Sequence, residues 1–151
     1  MSRWLCCLPL LVGGLVYALV GHPTLPIVAF ELAGDAATAA EVVGERTGDF
    51  RAALWSDWLA FIPGYLVTLC LLATRLPRRW AAALLVVLAV AAAGCDAMEN
   101  RHLLTGLDDG ADASFAAGRA WALAKFALLA PALALGLWGL FRRTERDPST
   151  S

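Results

Sequence analysis

Four apolar runs separated by short polar links leave this chain few folds to choose from. They cover about residues 4–20, 53–76, 81–100 and 119–141. At 1.5 Å of rise per helical residue, each comes close to crossing the ~30 Å hydrocarbon layer of a bilayer. In lipid every backbone N–H and C=O needs a partner within the chain, so runs of this kind are helices. Apolar residues make up 60% of the chain, well above the ~45–50% of soluble domains. The expected fold is all-α, an integral membrane up-down-up-down four-helix bundle with the lipid bilayer as its surroundings. One transmembrane domain, residues 1–141, is followed by a charged tail at 142–151.

The links carry further signals. Trp4 to Val20 is long for the apolar part of a signal peptide and no small-residue cleavage site follows it, so an uncleaved span is expected. Cys6 and Cys7 precede that run, the wrong order for lipoprotein processing, and the four cysteines read as small apolar filler. His22-Pro23 and Pro26 punctuate a loop. Asp35 is placed to cap a short helix over Ala36 to Val43, resting on the membrane surface or forming an ordered loop, with Gly44 and Gly48 bracketing a break. Pro63 frees the carbonyl of Leu59 and predicts a kink in the second span, as Pro131 does in the fourth.

Basic residues set the expected orientation. Arg3, Arg75, Arg78, Arg79, Arg142, Arg143 and Arg146 flank one side, leaving Arg46, Arg51, Arg101 and Arg119 for the other. The positive-inside rule then places both termini and the tail in the cytoplasm, in a multi-pass protein of the inner membrane. With a net charge of −1, nothing points to a nucleic-acid partner.

The chemistry is concentrated where the third run ends, A-A-A-G-C-D-A-M-E-N from Ala91 to Asn100. At 100° per residue, Asp96, Glu99 and Asn100 share about a 100° arc with Ala82, Ala89, Ala92 and Ala93. Leu84, Val87, Leu88 and Met98 take the opposite, lipid-facing side. In the second span Asp57 falls on one stripe with Gly64 and Thr68. Lys125, in the fourth, shares its stripe with Gly118, Ala122, Ala132 and Gly136. Small residues let helices approach closely, so the three ionisable stripes are expected to converge near the outer surface. An unpaired charge in hydrocarbon costs about 2.5–3.5 kcal/mol on insertion scales, which motivates pairing Lys125 with Asp57 or Asp96. One lysine cannot neutralise three carboxylates.

The candidate cluster is therefore Asp57, Asp96, Glu99, Asn100 and Lys125. Its first reading is a structural ion-pair network that fixes helix register, within a membrane component that binds a partner, a lipid or a small cation. A functional pocket or relay is the second reading, in a small-molecule or proton-coupled transporter, as a homo-oligomer or with a membrane partner, or in an enzyme acting on a lipophilic substrate. Scattered interfacial residues that never meet are the third. Glu31, an acid in the apolar phrase Phe30-Glu-Leu-Ala-Gly34, is expected in solvent rather than folded back towards Lys125 or Arg51. Glu99 and His102 have E-x-x-H spacing, but a di-iron bundle needs two such motifs, so no metal and no cofactor is expected. No set of catalytic residues is recognisable. Trp55, Trp58, Trp80 and Trp138 read as interfacial anchors.

Phe30-Glu-Leu-Ala-Gly34, then Asp57-Trp58 with Tyr65, then Asp96-Ala-Met-Glu99-Asn100 closing a span, together resemble an uncharacterised family of small four-span bacterial membrane proteins. The likeness covers Phe30 to about Lys125, and D-x-x-E-N is its most specific part. It implies the four-span topology and a role for the acidic face, and it supplies no catalytic residues.

Overall fold

The computed structural model describes residues 3–20 and 24–141. His22 and the tail from Arg142 onward lie outside the described residues. The described chain is all helical. A 3₁₀ segment, Arg3–Cys7, leads into α1, Leu8–Val20; the short helices α2, Ile27–Glu31, and α3, Ala36–Val43, follow. Next come α4, Thr47–Ser56, a π-helical turn at Asp57–Phe61 and α5, Ile62–Ala73. Two long helices, α6 at Arg79–Asp109 and α7 at Asp112–Phe141, complete the fold.

Three helices are long and apolar enough to cross a membrane: Thr47–Ala73, which runs unbroken through the π turn, Arg79–Asp109 and Asp112–Phe141. The first run is shorter as a helix, Leu5–Val20. α6 and α7 both outrun the apolar stretches that announced them. Helical hydrogen bonding needs no apolar side chains, so the helices continue until Gly110, at φ 63°, takes the left-handed conformation that ends α6. Asp109 then accepts from the Ala111 N–H and the Ser114 hydroxyl, and α7 starts after two intervening residues, Gly110 and Ala111.

The expected kink at Pro63 takes another form. Ile62 donates its N–H to the Asp57 carbonyl five residues back, so the helix widens by a turn just ahead of the proline. This breaks the 100° periodicity on which the Asp57, Gly64 and Thr68 stripe rested. Gly64 and Thr68 face α1 instead: a Cβ on Gly64 would stand 2.8 Å from the Pro9 carbonyl oxygen, and the Thr68 hydroxyl accepts the N–H of Leu10 at 3.1 Å. That N–H lies in the first turn of α1, so Thr68 gives it a partner that lipid cannot supply. Gly13 allows the same crossing, since a Cβ there would stand 2.4 Å from the Ala60 carbonyl oxygen. α1 thus packs along the α4–α5 helix, while α5, α6 and α7 pack on one another.

Two cores result. Leu69, Leu72, Ala81, Leu85, Ala89 and Ala132 belong to the one between the long helices. A second core gathers Phe30, Ala33, Ala39, Val43, Phe50, Leu54, Leu103 and Phe115. α2 and α3 therefore form a folded cap seated where α6 ends and α7 begins. Asp35 caps α3 as expected, accepting from the Thr38 N–H at 2.7 Å, and Asp112 at the start of α7 accepts from the Ala36 N–H at 2.8 Å. Those bonds from Thr38 hold the Asp35 carboxyl below its usual pKa. Gly44, at φ 54°, makes the break after α3. Gly48 is instead inside the first turn of α4.

Candidate functional site

α6 is regular through its acidic stretch, and its small residues face inward as expected. Ala89, Ala92, Ala93, Asp96, Glu99 and Asn100 are all buried, whereas Leu84 and Val87 are exposed. α7 presents Gly118, Ala122, Lys125, Ala132 and Gly136 inward. Lys125 therefore lies against the acids of α6 with its ammonium sealed from the surface.

The ammonium is the hub. Its Nζ lies 2.7 Å from Glu99 Oε2, 3.1 Å from Asp96 Oδ1 and 3.4 Å from Glu31 Oε2. Asp96 is doubly held, because its other oxygen accepts the Tyr65 hydroxyl at 3.1 Å. Beside this hub Asn100 donates its side-chain N–H to Asp57 Oδ2 at 2.6 Å. Four of the five residues, Asp96, Glu99, Asn100 and Lys125, are thus buried and Asp57 is half-buried, as one lysine-centred group and one Asn–Asp pair on the same face of α6. Asp57 meets Asn100 and not Lys125.

Two members escaped the sequence reading. Glu31 is not in solvent: it is folded inward on α2 and reaches Lys125, with its side chain 13% exposed. Phe30 beside it is fully buried, its ring 4.9 Å from that of Phe50 and 6.2 Å from that of Phe115. An acid next to an anchoring aromatic, between Pro26 and Gly34, was the available signal. Burial pushes the Glu31 carboxyl above its usual pKa, against the pull of Lys125. Tyr65 was visible as a phenol in an apolar span, but its partner depends on the phase change at the π turn.

Charge and hydrogen bonding are both out of balance here. Glu31, Asp57, Asp96 and Glu99 supply four carboxyl groups to one ammonium. Glu99 is 0% exposed, yet neither of its oxygens receives a hydrogen bond. Its Oε2 is held as an ion pair by the Lys125 ammonium, 2.7 Å away. Oε1 has no donor at all. Glu31 shares the Lys125 ammonium with Glu99 and brings another acceptor to it unless a proton lies between them.

Among the described residues no three His, Cys, Asp or Glu side chains are placed to hold a common metal ion. His102 is half-buried on α6, and His22 lies outside the described residues. Comparison with family models, with curated proteins and with solved structures found no match.

Proposed function

We propose that this chain is a four-span protein of the inner membrane, both termini cytoplasmic, whose outer half encloses a proton-binding centre made by Lys125, Glu31, Asp96 and Glu99. The observation that carries this is Glu99, fully buried among surplus carboxyls, with one oxygen on the Lys125 ammonium and the other, Oε1, without any donor. A group that serves only to fix helix register needs balanced charge and satisfied oxygens. Protons supply both, because a protonated carboxyl loses its charge and gains a donor.

Depth supports the placement. Counting from Trp80 at 1.5 Å per residue, Asp96 lies about 24 Å along α6, inside a ~30 Å hydrocarbon layer. Trp55 and Trp58, stacked at 5.4 Å, mark the opposite boundary close to Asp57. The 3₁₀ segment rises ~2.0 Å per residue, so Arg3 to Val20 extends about 30 Å and is long enough for a fourth span. Arg75 donating to the Cys6 sulfur at 3.2 Å, and Gly139 seated on the Leu72 carbonyl, bring the start of the first span and the ends of the second and fourth to one side. Membership in the small four-span family, and assembly as a homo-oligomer or with a membrane partner, belong to the same proposal. The activity is proton exchange with the outer aqueous phase, in a proton-coupled component rather than an enzyme. A register pin is the second reading, favoured by the paired contacts of Asp96.

Infrared spectroscopy of the protein in lipid nanodiscs tests the centre. The carbonyl stretch of a protonated, water-excluded carboxyl is expected at neutral pH, lost on alkalinisation and diminished by both Glu99→Gln and Glu31→Gln. Absence of the band at every pH where the fold is intact overturns the proposal.

A further inference from the structure

The cap carries more than shelter. α2 is five residues long, and it contributes two side chains to the interior: Phe30 to the second core and Glu31 to the ammonium. Glu31 makes the longest of the three contacts to Lys125, and it alone comes from outside the long helices. Beneath it Glu99 Oε1 lacks a donor. Two carboxylates facing one another repel, whereas two carboxyls sharing one proton are hydrogen-bonded.

We infer that α2 is a lid over the buried centre, latched shut by a proton shared between Glu31 and Glu99 and released when that proton leaves towards the outer aqueous phase. This rests on the proton-binding reading above and adds the residue that gates it. The groups facing Glu31 are Lys125 from α7, Asp96 and Glu99 from α6, Asp57 from the π turn and Tyr17 from α1. Tyr65 from α5 acts through Asp96. α3 and α4 meet this side through Ala39, Val43, Phe50 and Leu54. Lys125 stays bound to Asp96 and Glu99 when the lid lifts, so release exposes an ammonium and a carboxylate pair without dismantling the bundle. Phe30 sets the resistance to opening, since lifting α2 withdraws its ring from Phe50 and Phe115.

Ala33, two residues beyond α2 and 1% exposed, reports on opening. In nanodiscs, with the native cysteines replaced, modification of Ala33→Cys by a membrane-impermeant maleimide is compared with that of Ala40→Cys on the exposed face of α3. The ratio removes the thiol's own ionisation. Once the pair begins to lose its proton, the ratio should climb by up to about tenfold per pH unit, and both Glu31→Gln and Glu99→Gln should hold it low and flat. A ratio flat with pH in the otherwise unaltered chain, or a Glu31→Gln protein that keeps the climb, overturns the lid. Should Ala33→Cys not fold, amide hydrogen exchange of residues 27–33 in the native chain, corrected for intrinsic rates, gives the same readout: opening must rise with pH, and a constant opening equilibrium refutes the lid. A carboxyl infrared band that titrates while the ratio stays flat leaves the proton centre standing and removes the lid. A missing band removes the centre whatever the ratio does.

Discussion

Replacing Lys125 by methionine takes away the one ammonium that the described residues place among Glu31, Asp96 and Glu99, at 3.4, 3.1 and 2.7 Å. Methionine fills a similar volume, so packing is nearly conserved and the change is electrostatic. Breaking a buried pair from one side costs about 3–5 kcal/mol, because the remaining charge stays desolvated. For a domain near 150 residues, each kcal/mol moves the unfolding midpoint by about 2–4 °C, so a fall of about 6–20 °C is expected. Adding Asp96→Asn removes one stranded charge while its amide oxygen still accepts the Tyr65 hydroxyl. The double variant should therefore unfold above the single one. Thermal unfolding followed by tryptophan fluorescence in mild detergent measures both. Equal midpoints, or a double variant that falls by the sum of the single losses, would refute the pairing.

Other consequences are simpler. Tyr65→Phe leaves Asp96 Oδ2 without its donor and should cost about 1.5–3 kcal/mol in denaturant titration, the range for a hydrogen bond to a charged group. Gly13→Ala puts a methyl against the Ala60 carbonyl; separating α1 from the α4–α5 helix should cost about 1–3 kcal/mol, and an unchanged midpoint would mean the helices do not cross there. The pH dependence of cap stability follows from Glu31. Its carboxyl is raised above the ordinary value of 4.5 by burial, so its contribution is complete below that value and is lost as pH rises through the raised one. Hydrogen exchange in the cap should accordingly be slowest in acid, after correction for intrinsic rates.

Legibility in the sequence tracked helical regularity. Asp96, Glu99 and Asn100 on α6, and Lys125 on α7, were placed on their faces by 100° per residue alone, because α6 and the part of α7 ahead of Pro131 are continuous α-helix. Asp57 shows where that fails: a proline two turns on is visible, but the choice between a kink and a widened turn depends on packing against α1. Glu31 shows a second limit. The local phrase offers an acid beside an aromatic, but whether that acid faces water or folds inward rests with the pocket that takes Phe30, made by Phe50 and Phe115 from other parts of the chain. The overrun of α6 past Asn100 has a third cause, because hydropathy marks where lipid ends and says nothing of where backbone hydrogen bonds end.

A proton count tests the buried centre most directly. Acid–base titration of the folded protein and its Glu31→Gln variant in the same nanodiscs yields a difference curve belonging to the Glu31 site. One proton should leave well above 4.5, the ordinary value for the group. A difference curve centred on that ordinary value would mean Glu31 titrates as a solvated acid and would contradict the shared proton.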